Sequence, residues 1–361
     1  MTKPGKIIRD LAPAPGNPRN SEGAFLTLQN GEILFIYSAF KGESNADHAY
    51  TDLKALRSYD GGESFVDEGV VLTCEGEDGV NTMSVSLLQM QNGDIGLFYL
   101  VRTTYTLMRM FLRRSSDGGR TWSDRVCCMR EGYYVVNNDR VVRLSDGRII
   151  LPSASHRAFT REDGTPAYDS ASEVVWHCSE DDGYTWHELP KKCTMGDLAH
   201  CRSGLQEPGV VELSPGVLWG WARTDIGRQY EMFSVNGGMS WTTAQPSGFT
   251  SPCSPLCMKR LDDGRLVAVW NPVPIANGQS EIIDGIWTGG RTPLVIAFSS
   301  DNGNTFPDPI VIEDEKNRGY CYTAIHPIAD GILLAYCAGG PEDGSCLCRL
   351  RIRKIRWEEL Q

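Results

Sequence analysis

Apolar residues along this chain come in short runs separated by polar, glycine-bearing turns. FLTLQNGEILFIY (25–37), VVRLSDGRIILP (141–152) and VVELSPGVLWGW (210–221) each read as an apolar strand, a tight turn and a second apolar strand. The turn glycines of this pattern are Gly31, Gly93, Gly147, Gly216, Gly264 and Gly331. Helical periodicity is weak almost everywhere, so the expectation is an all-β protein.

A second pattern interleaves with the first. It reads Ser58-Tyr-Asp60-Gly-Gly62-Glu-Ser64-Phe65, and variants begin at Ser115, Ser179, Ser234 and Ser299, the last being Ser-Ser-Asp301-Asn-Gly303-Asn-Thr305-Phe306. The copies stand roughly 60 residues apart, a spacing that belongs to repeat architectures. Physically the motif is a hairpin turn: Asp or Asn folds onto the following backbone, Gly takes the positive φ, and the aromatic packs beneath. Six turns alternating with five such motifs define six units, and four-stranded units arranged radially make a β-propeller. The expected fold is therefore a six-bladed β-propeller, a single domain over residues 1–361. The sixth unit lacks the motif, and KIIRDL (6–11) is expected to complete its sheet.

The motifs resemble the Asp-box (BNR) repeats of the sialidase/neuraminidase superfamily, over essentially the whole chain. The boxes are specific for fold and weak for function, so candidate pocket residues must carry the chemistry.

Composition narrows the partners. Lys and Arg number 35 against 46 Asp and Glu, for a net charge of −11, which argues against nucleic acid and anionic membranes. No apolar run approaches the ~18 residues of a membrane helix. The twelve cysteines form no CxxC pair and lack His companions at zinc-ligand spacing. No metal or cofactor is expected. MTKPGKIIRDLAPAPG has no apolar core of a signal peptide, so the expectation is a cytoplasmic protein with reduced thiols.

In a propeller the first strand of each blade lines the axis. Nine residues before the six turn glycines stand Glu22, Ser84, Asn138, Glu207, Pro255 and Tyr322; ten before stand Ser21, Met83, Asn137, Gln206, Ser254 and Cys321. Glu207 and Tyr322 make a chemical pair: a phenol is a poor nucleophile at neutral pH until a carboxylate takes its proton. Sialidases use a tyrosine nucleophile, and the segments around Glu207 and Tyr322 resemble those bearing the glutamate partner and the nucleophile. Tyr320 is a nearby competitor. The resemblance further implies Asp47 as acid/base, with Asp52 as the alternative, and Arg223 and Arg291 as two members of an arginine triad that holds the substrate carboxylate.

The pattern breaks at the first triad position. Where the family has Arg-Ile-Pro, this chain has Ser21 followed by Glu22, with Arg19 two residues upstream. Arg19 either restores the triad from the loop or lies at the surface while Glu22 reads hydroxyls of another sugar. Arg140 and Arg202 are further basic candidates. Asn138, Asp139 and His156 are candidate hydrogen-bonding residues, and Tyr133, Tyr134, Trp270 and Trp287 candidate stacking residues. Three functions compete: an exo-acting retaining glycosidase on a terminal acidic sugar, sialic acid first; a related enzyme on another 2-keto acid or uronate; and a non-catalytic glycan-binding propeller.

Overall fold

The computed structural model describes residues 3–196 and 200–360. The protein is all-β: its helices are four short 3-10 turns among the described residues. None of them is long and apolar enough to cross a membrane.

Strands pair antiparallel in successive groups. The first group holds Asn20–Thr27, Ile33–Phe40, Thr51–Ser58 and Val66–Leu72; the second holds Asn81–Gln89, Ile95–Thr104, Leu107–Ser115 and Val126–Cys127. In the third, two short pieces, Tyr133–Val135 and Val142–Arg143, share the partner Ile149–Thr160, which pairs with Pro166–Ser179 and through it with His187–Glu188. Gln206–Ser214, Val217–Arg223, Arg228–Ser234 and Gln245–Thr250 form the fourth, and Cys257–Arg260, Leu266–Trp270, Leu294–Ser299 and Ile310–Glu313 the fifth. The sixth runs Cys321–Ile328, Gly331–Cys337, Leu350–Arg356 and then, from the other end of the chain, Lys6–Leu11. KIIRDL thus does complete the last sheet, with Lys6 opposite Lys354 and Leu11 opposite Leu350.

The second strands explain the continuous apolar runs. Ile33–Phe40 and Gly331–Cys337 are buried along their whole length, because each is covered on both faces. Six hydrophobic clusters result, each shared by neighbouring groups: Leu34 and Ile36 with Leu87 and Leu97, for example, and Trp176 with Met232 and Trp241. One joins the last group to the first, through Leu333 and Ile352 against Phe25 and Phe35.

The serine–aspartate motifs link third to fourth strands. Asp60 Oδ1 accepts from Ser58 Oγ at 2.8 Å and from Ser64 N at 2.9 Å, while Gly62 N donates to Ser58 Oγ at 2.8 Å. The Asp or Asn oxygen meets the backbone four residues on at 2.8–2.9 Å in all five copies. One turn glycine departs from the expected equivalence. Gly31, Gly93, Gly147, Gly216 and Gly264 have positive φ, but Gly331 does not; a Cβ there would lie 2.1 Å from Ile355 O, so close strand approach is what excludes a side chain.

Candidate functional site

Four inner strands share one irregularity. Pairing slips between Ser21 and Ala24, Met83 and Ser86, Gln206 and Gly209, and Cys321 and Ala324, a β-bulge at the same height in each. Inside each bulge a non-glycine residue is left-handed: Glu22 (φ 53°), Ser84 (58°), Glu207 (45°) and Tyr322 (56°). Such a conformation costs roughly 1–3 kcal/mol per residue. It re-aims the side chain, and all four line one cavity of about 190 Å³. The nine-residue offset therefore finds the residues that line this cavity in these groups. In the third group the left-handed residue is Asp139 (φ 59°), one place later, on a broken inner strand. In the fifth the slot is Pro255, whose ring holds φ negative.

Tyr322 and Glu207 meet as expected. The phenol donates to Glu207 Oε1 at 3.0 Å. Arg223 Nη1 lies 3.0 Å from Glu207 Oε2 and 3.4 Å from Tyr322 Oη, and its Nη2 donates to Gln206 Oε1 at 3.0 Å. Burial, and then the Glu207 charge, push the phenol well above its ordinary pKa, while Arg223 and Arg291 pull it back. Tyr320, the competitor, is buried in the apolar cluster between the fifth and sixth groups.

Arg291 stands against the tyrosine ring. Its guanidinium lies over the Tyr322 ring at 5.4 Å and the Trp287 ring at 4.9 Å, donating to Cys321 Sγ at 3.0 Å and Cys253 O at 3.1 Å. It does not line the cavity. Arg19 does come in from the loop, but every one of its nitrogens is engaged: Nη1 with Asp47 Oδ1 at 2.5 Å and Asn45 O at 3.3 Å, Nη2 with Glu22 Oε1 at 3.1 Å, Nε with Ser21 Oγ at 3.1 Å.

Glu22, 3% exposed, also accepts from Ser84 Oγ at 2.6 Å. Desolvation raises its pKa to about 7 against the opposing pull of Arg19 and Ser84. The Asp47 side chain is 67% exposed. The Arg19 guanidinium against it holds its carboxyl below the ordinary carboxylate value. Asp52 stands apart, paired with Lys41 at 3.0 Å.

Asn138 and Asp139 do not line the cavity, contrary to expectation; Asn137 does. They brace the strand that carries the tyrosine. Asn138 Nδ2 donates to the main-chain oxygens of Tyr322 (3.1 Å) and Gly23 (2.8 Å), and Asp139 Oδ2 accepts from Ile325 N at 2.9 Å while its Oδ1 pairs with Lys259 Nζ at 2.6 Å. His156 and Tyr133 line the cavity; Tyr134, Trp270 and Trp287 do not. Arg140 is spent on Leu256 O at 2.6 Å.

Arg102 and Tyr168, which no sequence argument singles out, complete the wall. A signal for Arg102 exists. Arg223 ends an apolar second strand seven residues after its turn glycine; Arg102 stands nine after its own, on the same strand face two residues further along. Two sets of three potential metal donors occur elsewhere among the described residues, Cys178/Glu180/His187 and Asp52/Cys74/Glu75, and neither lines the cavity.

A family model described as a BNR repeat-like domain matches residues 67–334. The chain is 22% identical over 369 residues to the anhydrosialidase of Macrobdella decora, covering 92% of this chain and 45% of that protein, so it spans about half the length of this curated relative. Among solved structures it is similar to the Hadza microbial sialidase Hz136, with a TM-score of 0.70 and 17% identity over 95% of this chain and 66% of that one. It is also similar to the intramolecular trans-sialidase from Ruminococcus gnavus, with a TM-score of 0.69 and 14% identity over 99% and 98% of the two chains. At such identities the structural likeness shows a common fold, and the family match goes further: the chain belongs to the BNR repeat-like domain family.

Proposed function

We propose that this chain is an exo-acting retaining glycosidase that releases a terminal acidic sugar, sialic acid foremost, from a glycan. The observation that carries this reading is the 3.0 Å bond from Tyr322 to Glu207 on the wall of a cavity that Asp47 also lines. In the proposed course Glu207 accepts the phenol proton as Tyr322 Oη attacks the anomeric carbon. The glycosidic C–O bond breaks, and the leaving oxygen takes a proton from Asp47. Asp47 then deprotonates a water that attacks the same carbon, the bond to Tyr322 breaks, and Glu207 returns the proton to the phenolate. Asp47 can serve as acid only when it exchanges Arg19 for the leaving oxygen. Arg223 steadies the charge on the Tyr322–Glu207 pair.

The scaffold we infer is one closed six-bladed propeller over residues 1–361. The apolar cluster joining the last group to the first, and the pairing of Lys6–Leu11 with Leu350–Arg356, support it. A second reading changes the sugar: Ser21 where the family pattern has an arginine, followed by Glu22 in the ring, favours another 2-keto acid or a uronate. The test is a panel of fluorogenic sialosides and glucuronides on wild type and Tyr322→Phe. Turnover by the wild type that disappears in the variant is expected. Full activity in Tyr322→Phe overturns the nucleophile assignment. Glycan binding without hydrolysis, unaffected by Asp47→Ala, favours a non-catalytic propeller.

A further inference from the structure

We propose that Arg102 is the residue that holds the negative charge of the sugar, doing in this chain what the family pattern assigns to an arginine at the place of Ser21. The inference rests on the glycosidase reading and names the ligand contact it requires. Of the arginines expected to clamp a carboxylate, Arg19 has every nitrogen engaged, Arg291 lies outside the cavity lining, and Arg223 is paired with Glu207. Arg291 has only neutral contacts and an unpartnered Nε, but of these four arginines Arg102 alone combines that state with a place on the cavity wall. It lines the cavity and is 5% exposed, yet its contacts are neutral: Nη2 donates to Tyr133 Oη at 3.0 Å and Nη1 to Tyr105 O at 3.3 Å. Its Nε is buried with no partner, and no carboxylate lies within ion-pair distance among the described residues.

A buried guanidinium without an acid is costly to hold unless a ligand supplies one. The surroundings suit that ligand. Met83, Leu100 and Met108 make the nearby wall apolar, which strengthens an ion pair formed there. The Tyr133 and Tyr168 rings stack at 4.4 Å beside the guanidinium and offer a flat face to a sugar. Arg102 also borders the adjoining depression with Asp47 and Arg19, so an anion entering from that side meets it before reaching Tyr322.

Calorimetric titration of wild type, Arg102→Gln and Arg102→Lys tests this, with N-acetylneuraminic acid, glucuronic acid and their methyl esters as probes. At least one acid binds wild type, and Arg102→Gln weakens that acid about 30-fold or more while leaving its ester unchanged. Arg102→Lys, which keeps the charge and controls for folding, retains part of the affinity. Binding of neither acid to wild type, unchanged acid affinity in Arg102→Gln, or equal weakening of acid and ester overturns the proposal. Tyr322→Phe keeps the acid affinity; if wild type hydrolyses no glycoside while still binding the acid through Arg102, the glycosidase reading falls while the anion site stands.

Discussion

The same three side chains meet twice in the second half of this molecule. At the cavity, Tyr322, Glu207 and Arg223 form a mutual cluster; between the fifth and sixth strand groups, Tyr336, Glu313 and Arg353 form another. The second is the tighter: Tyr336 donates to Glu313 at 2.8 Å, and Arg353 reaches the phenol and the carboxylate at 2.9 Å, with Arg351 adding a further bond at 2.9 Å. Tyr336 stands opposite Arg351 in regular register, and none of Tyr336, Glu313 and Arg353 is left-handed. At the cavity both acid and phenol sit in left-handed bulges, and the arginine stands 3.4 Å from the phenol. A tyrosine–glutamate–arginine cluster is thus a common way to satisfy buried polar groups. Access to a cavity and backbone strain separate a candidate nucleophile from a structural knot.

Substitutions can break this contrast. Tyr322→Phe lowers kcat on an acidic-sugar substrate on the order of a thousandfold or more and leaves the melting temperature nearly unchanged; a large loss of stability with full activity would reverse the two assignments. Glu313→Gln does the opposite, destabilising by about 3 kcal/mol or more in a denaturant titration because buried Arg353 loses its acid and Arg351 keeps only Asp10, with kcat intact in the folded fraction.

Glu22, which lines the same cavity, and Glu313 respond to pH in opposite senses. The folded-state pKa of Glu22 is raised from 4.5 to about 7, so it favours folding below pH 4.5 and loses that contribution as pH rises to 7, a change of roughly 3 kcal/mol. Desolvation would lift Glu313 too, but Arg353 and Arg351 hold it below its ordinary value; its contribution is present above pH 4.5 and fades as pH falls further. Relative to wild type, Glu22→Gln therefore gains stability between pH 4.5 and 7, whereas the deficit of Glu313→Gln shrinks in acid. Parallel pH profiles for the two variants would remove the distinction. The smallest effect is expected at the rim, where Asp117→Ala removes bonds to Thr121 and Ser115 and costs about 1 kcal/mol by thermal melt, with no change in kcat.

Much of this is legible in the sequence, for a physical reason. Glycine turns and serine–aspartate motifs are local devices, each satisfied by residues within a few positions of one another, so their spacing alone lays out the strand groups and the height of Glu22, Ser84, Glu207 and Tyr322. Illegible is whatever depends on strands far apart. In the third group the inner strand is broken between Val135 and Val142 and the left-handed residue comes one place later, which turns Asn138 and Asp139 toward the strand that carries the tyrosine instead of the cavity. Arg102 reads as one more arginine at a strand end until Tyr133 and Tyr105 are seen to be its neutral neighbours. Arg19 looks free until Glu22 and Asp47 are seen on either side of it.

The pairing of Lys6–Leu11 with Leu350–Arg356 sets an order of events. Every other strand group is assembled from one continuous stretch and can form while later residues are still being synthesised. The group bearing Tyr322 needs its fourth strand from the opposite end of the chain, the longest loop this fold has to close and the one with the greatest entropic cost of closure. The sheet that bears Tyr322 is therefore the last to be finished, and a ribosome-bound chain halted before residue 350 carries the tyrosine without the clasp that holds its sheet in place.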